Sequence, residues 1–126
     1  MKFLMTISAP ADPDFQIPPE MEEEMGQFIG QQFASGHLID TGGLAPLQAA
    51  KTVRLENDEI TVIDGPFAET KEVVGGYALM QYDTLEEAVE GAREFIDLHR
   101  RHLPGYECHT EIRQVFGPED APPAGN

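Results

Sequence analysis

Apolar and polar positions alternate with a period of two at the start of the chain, where Phe3, Met5 and Ile7 interleave with Lys2, Leu4 and Thr6. That is the pattern of a half-buried strand. Residues 9–19 hold four prolines and two aspartates and read as a loop. From Pro19 the period changes. Met21, Met25, Phe28, Ile29 and Phe33 recur at helical spacing and predict one apolar stripe on a helix over about 19–35. Pro18-Pro19 opens this helix, Glu20, Glu22, Glu23 and Glu24 suit the positive end of its dipole, and Gly36 supplies the stop. Leu38-Ile39 predicts a short strand that dissolves at Thr41-Gly42-Gly43.

A hairpin follows. Val53 and Leu55 on one arm and Ile60 and Val62 on the other frame Asn57-Asp58, a two-residue turn of the primed kind. This register sets position 55 opposite 60, 53 opposite 62, and Lys51 opposite Asp64 as a cross-strand ion pair. Tyr77–Tyr82 is apolar on both faces and predicts a central strand covered on both sides. Thr84 and Glu87 form a capping box for a second helix, with Ala88, Ala92, Phe95 and Ile96 on its stripe and His99-Arg100-Arg101-His102 at its basic end. A last strand, about Tyr106–Phe116, turns Cys108, Thr110 and Ile112 one way and His109, Glu111 and Arg113 the other. Gly117–Asn126 has three prolines and no apolar anchor.

The order is therefore strand, helix, strand, hairpin, strand, helix, strand. Without the hairpin it is βαββαβ, the ferredoxin-like α+β plan, with two helices on one face of an antiparallel sheet. The expected organisation is a single domain over residues 1–117 and a flexible tail over 118–126. The other sheet face then lacks a cover. A second copy packed sheet to sheet is the simplest one, so a homodimer is expected.

Composition narrows the partners. Among 126 residues, Lys and Arg number eight and the net charge is −15, a field that disfavours nucleic acid and anionic lipid surfaces. The apolar fraction of 40% fits a globular core. One cysteine, Cys108, rules out an internal disulfide, and no apolar run has membrane-spanning length, so a cytoplasmic location is expected. The apolar start meets Pro10, Asp12 and Pro13 too early for a signal peptide.

The densest chemistry lies in Asp64-Gly65-Pro66-Phe67-Ala68-Glu69-Thr70-Lys71-Glu72, followed by Gly75-Gly76-Tyr77. These residues resemble the signature of the DGPF-domain branch of the YCII-related proteins. The opening Met1-Lys2-Phe3-Leu4-Met5 and the ending Glu111-Ile112-Arg113-Gln114-Val115-Phe116 are similar to that group too. The resemblance implies a dimeric α+β barrel and no particular reaction. Relatives in the broader group carry a proposed His–Asp site with its His on the first helix. The first helix here has no histidine, so neither residue is carried over.

Within the motif, Gly65-Pro66 makes a rigid turn, Phe67 anchors it, and Asp64, Glu69 and Lys71 are the candidate acid–base groups. The competing structural reading has Asp64 capping the turn and Glu69 and Lys71 bonding within the loop or between subunits. Pro66, Phe67, Glu72, Gly76, His109, Glu111 and Arg113 are the ligand-binding candidates. Gly76, with Gly75, fits either the close approach of a ligand or neighbouring backbone, or a bulge. The last-strand trio is either in a cleft or solvated. A metal site from His99, His102 and His37 is weighed against histidines that merely suit a helix C-terminus, and no metal or cofactor is expected. No P-loop, dinucleotide fingerprint or nucleophile elbow occurs. Two functions remain: a small-molecule binder or cofactor-independent acid–base enzyme, and a non-catalytic accessory protein in which the motif stabilises the dimer.

Overall fold

Alternation at the N-terminus forms strand β1 (Lys2–Pro10), whose Phe3 and Met5 are buried while Lys2 and Leu4 are exposed. The computed structural model describes residues 1–12, 14–65, 72–118 and 120. The elements that follow are helix α1 (Pro19–Ala34), strand β2 (Leu38–Gly43), a 3₁₀ turn (Leu47–Ala49) and strands β3 (Lys51–Glu56) and β4 (Glu59–Asp64). Strand β5 (Glu72–Gln81), helix α2 (Leu85–His102) and strand β6 (His109–Val115) complete the order. The main sheet is antiparallel, in the order β2-β5-β1-β6, and β3-β4 is a separate hairpin. With the hairpin set aside, the chain is a ferredoxin-like α+β fold.

Register decides the layers. Phe3 pairs with Met80, and Met5 with Ala78 and Ile112. These side chains share one face and pack with Leu38, Tyr82, Ala88, Ala92 and Ile29, so both helices lie on that side. The opposite face carries Leu4 opposite Leu79 and Arg113, and Thr6 opposite Tyr77 and Glu111. Leu4 there is 37% exposed, and Leu79 and Tyr77 are only half-buried. Among the described helices, both sit on the first face.

Local chemistry explains the element ends. Pro at the first turn starts α1, and Gly36, at φ +84°, follows its C-cap. The hairpin turn has Asn57 at φ 53° and Asp58 at φ 65°, the left-handed pair that a type I′ turn requires. Its register pairs Val53 with Val62, Leu55 with Ile60 and Lys51 with Asp64, as expected. Thr84 Oγ1 accepts from Glu87 N at 3.1 Å, whereas the Glu87 carboxylate reaches Asp83 N at 3.4 Å, so the capping box closes one residue early.

Three expectations are corrected. Strand β2 does not dissolve at Thr41 but runs to Gly43, because it pairs along β5 as far as Gly76. The last strand begins at His109 rather than Tyr106. Pro104-Gly105 form a turn, residues 106–108 are irregular, and Tyr106 stacks on Phe15 of the first loop at 5.0 Å. Phe33 stays 47% exposed, while Met21 of the same stripe is buried and Met25, Phe28 and Ile29 are half-buried. Leu98, 1% exposed, is a core residue that the α2 stripe did not include.

The helices are joined by charge. Arg101 binds Glu24 with two nitrogens, one at 3.1 Å, and His102 Nε2 lies 3.0 Å from the same carboxylate. Arg101 also reaches Asp97 at 3.1 Å. The Arg101 guanidinium, helped by His102, holds the Glu24 carboxyl down at about 2, against an ordinary 4.5. A carboxyl held below its unfolded value adds stability above pH 4.5, and that stability is lost as pH falls through 4.5 toward about 2. The unfolding free energy of Glu24→Gln is therefore expected to fall less steeply across this window than that of the parent, measured by denaturant titration.

Gly91 in α2 faces the Tyr82 ring. A Cβ there would lie 2.2 Å from Tyr82 Oη and 3.0 Å from Cζ. Helix propensity alone favours Ala over Gly by about 1 kcal/mol. Gly91→Ala is nevertheless expected to destabilise by about 1–3 kcal/mol through overpacking, and adding Tyr82→Phe is expected to restore part of the loss, read by thermal and denaturant unfolding.

Candidate functional site

Strand β5 contains one slip. Ile7 pairs with Gly76 and Ser8 with Val74, leaving Gly75 as the extra residue of a bulge. The slip reverses the alternation of β5 on its N-terminal side. Val74 and Glu72 thereby share the face of Ser8 and Pro10, and Ser8 has His109 on its other side. Glu72 Oε2 and His109 Nε2 meet across β1 at 3.7 Å, an ion-pair distance when the imidazole carries its second proton. Both side chains are more than half exposed, on the face away from the helices.

Other polar groups share this face. Glu111 and Arg113 project from β6 opposite Thr6 and Leu4. Tyr77 Oη donates to Asp40 at 3.0 Å, and that carboxylate holds the phenol above its ordinary pKa. The surface thus offers an imidazole, carboxylates, a guanidinium and a phenol around Thr6 and Leu79. Groups of this kind bind polar ligands and move protons.

The glycine pair divides its roles. Gly75 forms the bulge, and a Cβ there would meet nothing within 4 Å. Gly76 lies against β2, where a Cβ would be 3.0 Å from Gly42 O. It is the close approach of neighbouring backbone that requires glycine.

A family model for the YCII-related domain matches residues 1–95. The chain belongs to the YCII-related family. It is also similar to an uncharacterized protein of Rhizobium meliloti (strain 1021), with 43% identity over 60 residues, 48% of each chain. The YCII-related chain spans about half the length of that relative.

The remaining candidates fall in separate places. Asp64 ends β4, where its carboxylate takes a 2.6 Å bond from Lys51, and both side chains are mostly exposed. The sequence register had placed this pair. Pro66, Phe67, Glu69 and Lys71 lie outside the described residues. The three histidines weighed for metal go different ways. His37 stacks on Tyr82 at 4.5 Å, His99 Nδ1 bonds Phe95 O at 2.9 Å, and His102 joins Glu24. Among the described residues no cluster of three His, Cys, Asp or Glu side chains forms. Cys108 is half-buried, and burial pushes its thiol pKa up. No described helix is long and apolar enough to cross a membrane.

Sequence reasoning had Glu72 and His109 as separate candidates and missed their pairing, together with Asp40 and Tyr77. The Gly75-Gly76 doublet was the available signal, since a bulge there re-aims Glu72. Gly76→Ala is expected to weaken the β2–β5 edge by about 1–3 kcal/mol, while Gly75→Ala stays within about 0.5 kcal/mol of the parent. Denaturant unfolding distinguishes the two.

Proposed function

We propose that the protein is a homodimeric small-molecule-binding protein of the DGPF branch, taking a polar ligand on the open sheet face beside the Asp64–Glu72 segment. The observation that carries this reading is the Glu72–His109 pair at 3.7 Å, flanked on the same face by Glu111 and Arg113. A carboxylate that orients an imidazole is suited to cofactor-independent proton transfer, and the pair sits where the motif enters the sheet. Asp64, Glu69 and Lys71 are the further acid–base groups that the motif would bring to the ligand.

Unmatched apolar surface supports the dimer. Leu4 and Val74 are 37% and 43% exposed on the sheet face, and Val53, Leu55, Ile60 and Val62 are 64–74% exposed along one side of the hairpin. A second copy packed sheet to sheet would cover the first group and form the α+β barrel. The hairpin ladder also favours a second reading, a non-catalytic interaction protein in which the motif and the Lys51–Asp64 clamp serve assembly.

Sedimentation velocity is expected to find a dimer at micromolar concentration, and Leu79→Arg is expected to leave a monomer. A ligand drawn from a metabolite library, at 100 times its dissociation constant, should add about 2.7 kcal/mol of stability to the parent. The same ligand should add almost nothing to Glu72→Ala or His109→Ala, with the dimer intact. A parent that is monomeric at all concentrations overturns the dimer. Stabilisation that survives both alanine substitutions overturns the site, and a library without any stabiliser favours the interaction protein.

A further inference from the structure

The sheet's helix-covered face is not fully packed. Between it and the two helices lies a cavity of about 360 Å³. Met5 and Ala78 of the sheet, Met25 and Phe28 of α1, and Phe95 of α2 line it. Protein interiors are ordinarily packed to the density of organic crystals, with few voids larger than a water molecule. The pocket opens to solvent, and Met25, Phe28 and Phe95, which line it, are only half-buried. Its volume falls in the range of small-molecule pockets, roughly 300–1,000 Å³.

Beside its apolar side chains the lining includes Thr6, Gln32, Thr41, Tyr77, His99 and Thr110. In a chain with 23 acidic and eight basic residues, no Asp, Glu, Lys or Arg lines the cavity among the described residues. His99 does, at 9% exposure. Its ring stands edge-on to Phe95, with centroids 4.7 Å apart. Nδ1 lies 2.9 Å from Phe95 O, and a carbonyl only accepts, so Nδ1 bears the hydrogen. Nε2 of the neutral ring is left as an acceptor with no protein partner among the described residues. A mainly apolar pocket in which a buried imidazole offers an acceptor suits an uncharged, mainly apolar molecule carrying a hydrogen-bond donor.

We propose that this cavity is a second ligand site, on the opposite side of the sheet from the Glu72–His109 pair, for an uncharged one- or two-ring aromatic alcohol whose hydroxyl donates to His99 Nε2. Size sets the ring count. An apolar protein cavity of roughly 150 Å³ accepts benzene, and this one is more than twice as large. A charged ligand would lose its hydration with no opposite charge in the lining to replace it.

The probes are 1-naphthol and naphthalene, added to the intact parent protein labelled at its methionine methyl groups. Met5, Met25 and Met80 line the cavity, while Met1 and Met21 do not. The methyl signals of the first three are expected to shift in proportion to saturation, with those of Met1 and Met21 unmoved. 1-Naphthol should bind about three- to tenfold more tightly than naphthalene. His99→Phe should remove that preference while naphthalene still binds. Ala78→Leu, which fills the chamber, should abolish binding of both. Signals that stay still with both probes, or that move at Met1 and Met21 alone, overturn the site. Equal affinity of the two probes for the parent overturns the role of His99. The parent's own spectra decide the matter even if a variant fails to fold, and the Glu72–His109 reading is untouched by either result.

Discussion

The pairing of β1 with β5, with its single slip at Gly75, is the constraint on which the other features rest. Before the slip, Phe3 and Met5 lie opposite Met80 and Ala78, which commits one face of both strands to the helices. Beyond it the alternation of β5 reverses. Without that extra residue, Glu72 would turn toward the helix side and could not reach His109 across β1. A backbone detail of one residue thus converts two exposed polar side chains into a pair. The same slip lies next to Gly76, where the backbone of β2 comes too close for a side chain.

The two faces of the sheet carry opposite chemistry for the same reason. A strand alternates, so a register that buries Phe3, Met5, Ala78 and Met80 on one side must present Lys2, Leu4, Thr6, Tyr77 and Leu79 on the other. The helix side is apolar and holds a chamber with one imidazole. The far side is polar at its ends, with apolar Leu4 and Leu79 between them, and its chemistry comes from Asp40, Tyr77, Glu72, His109, Glu111 and Arg113. The proposed ligands follow this division: a polar one on the open side and an uncharged aromatic one within.

Charge is distributed just as unevenly. A net charge of −15 would push acidic helices apart, yet α1 and α2 meet where Glu24 faces Arg101 and His102. Two of the chain's eight basic residues, Arg100 and Arg101, stand together at the end of α2, where they also hold Asp97. These residues suit the negative end of the helix dipole and tie the two helices together.

Much of the fold was legible in the residues, because local rules act on neighbours. Period-two and helical spacing located the strands and helices, Asn57-Asp58 set the hairpin register down to Lys51–Asp64, and the topology followed from the order of elements. Phe33 belongs to the apolar stripe of α1 yet stays exposed, because a stripe on a helix records amphipathicity but not where the sheet beneath it ends. Thr41-Gly42-Gly43 was misread as a strand end because glycine weakens a strand locally, while here it allows β2 and β5 to approach. The Glu72–His109 pair and the burial of His99 were beyond sequence reasoning, since each depends on contacts between residues far apart in the chain. Spacing along the chain determines which elements form and which face of each is apolar; only the packed sheet, through its bulge and its register, decided which polar side chains meet.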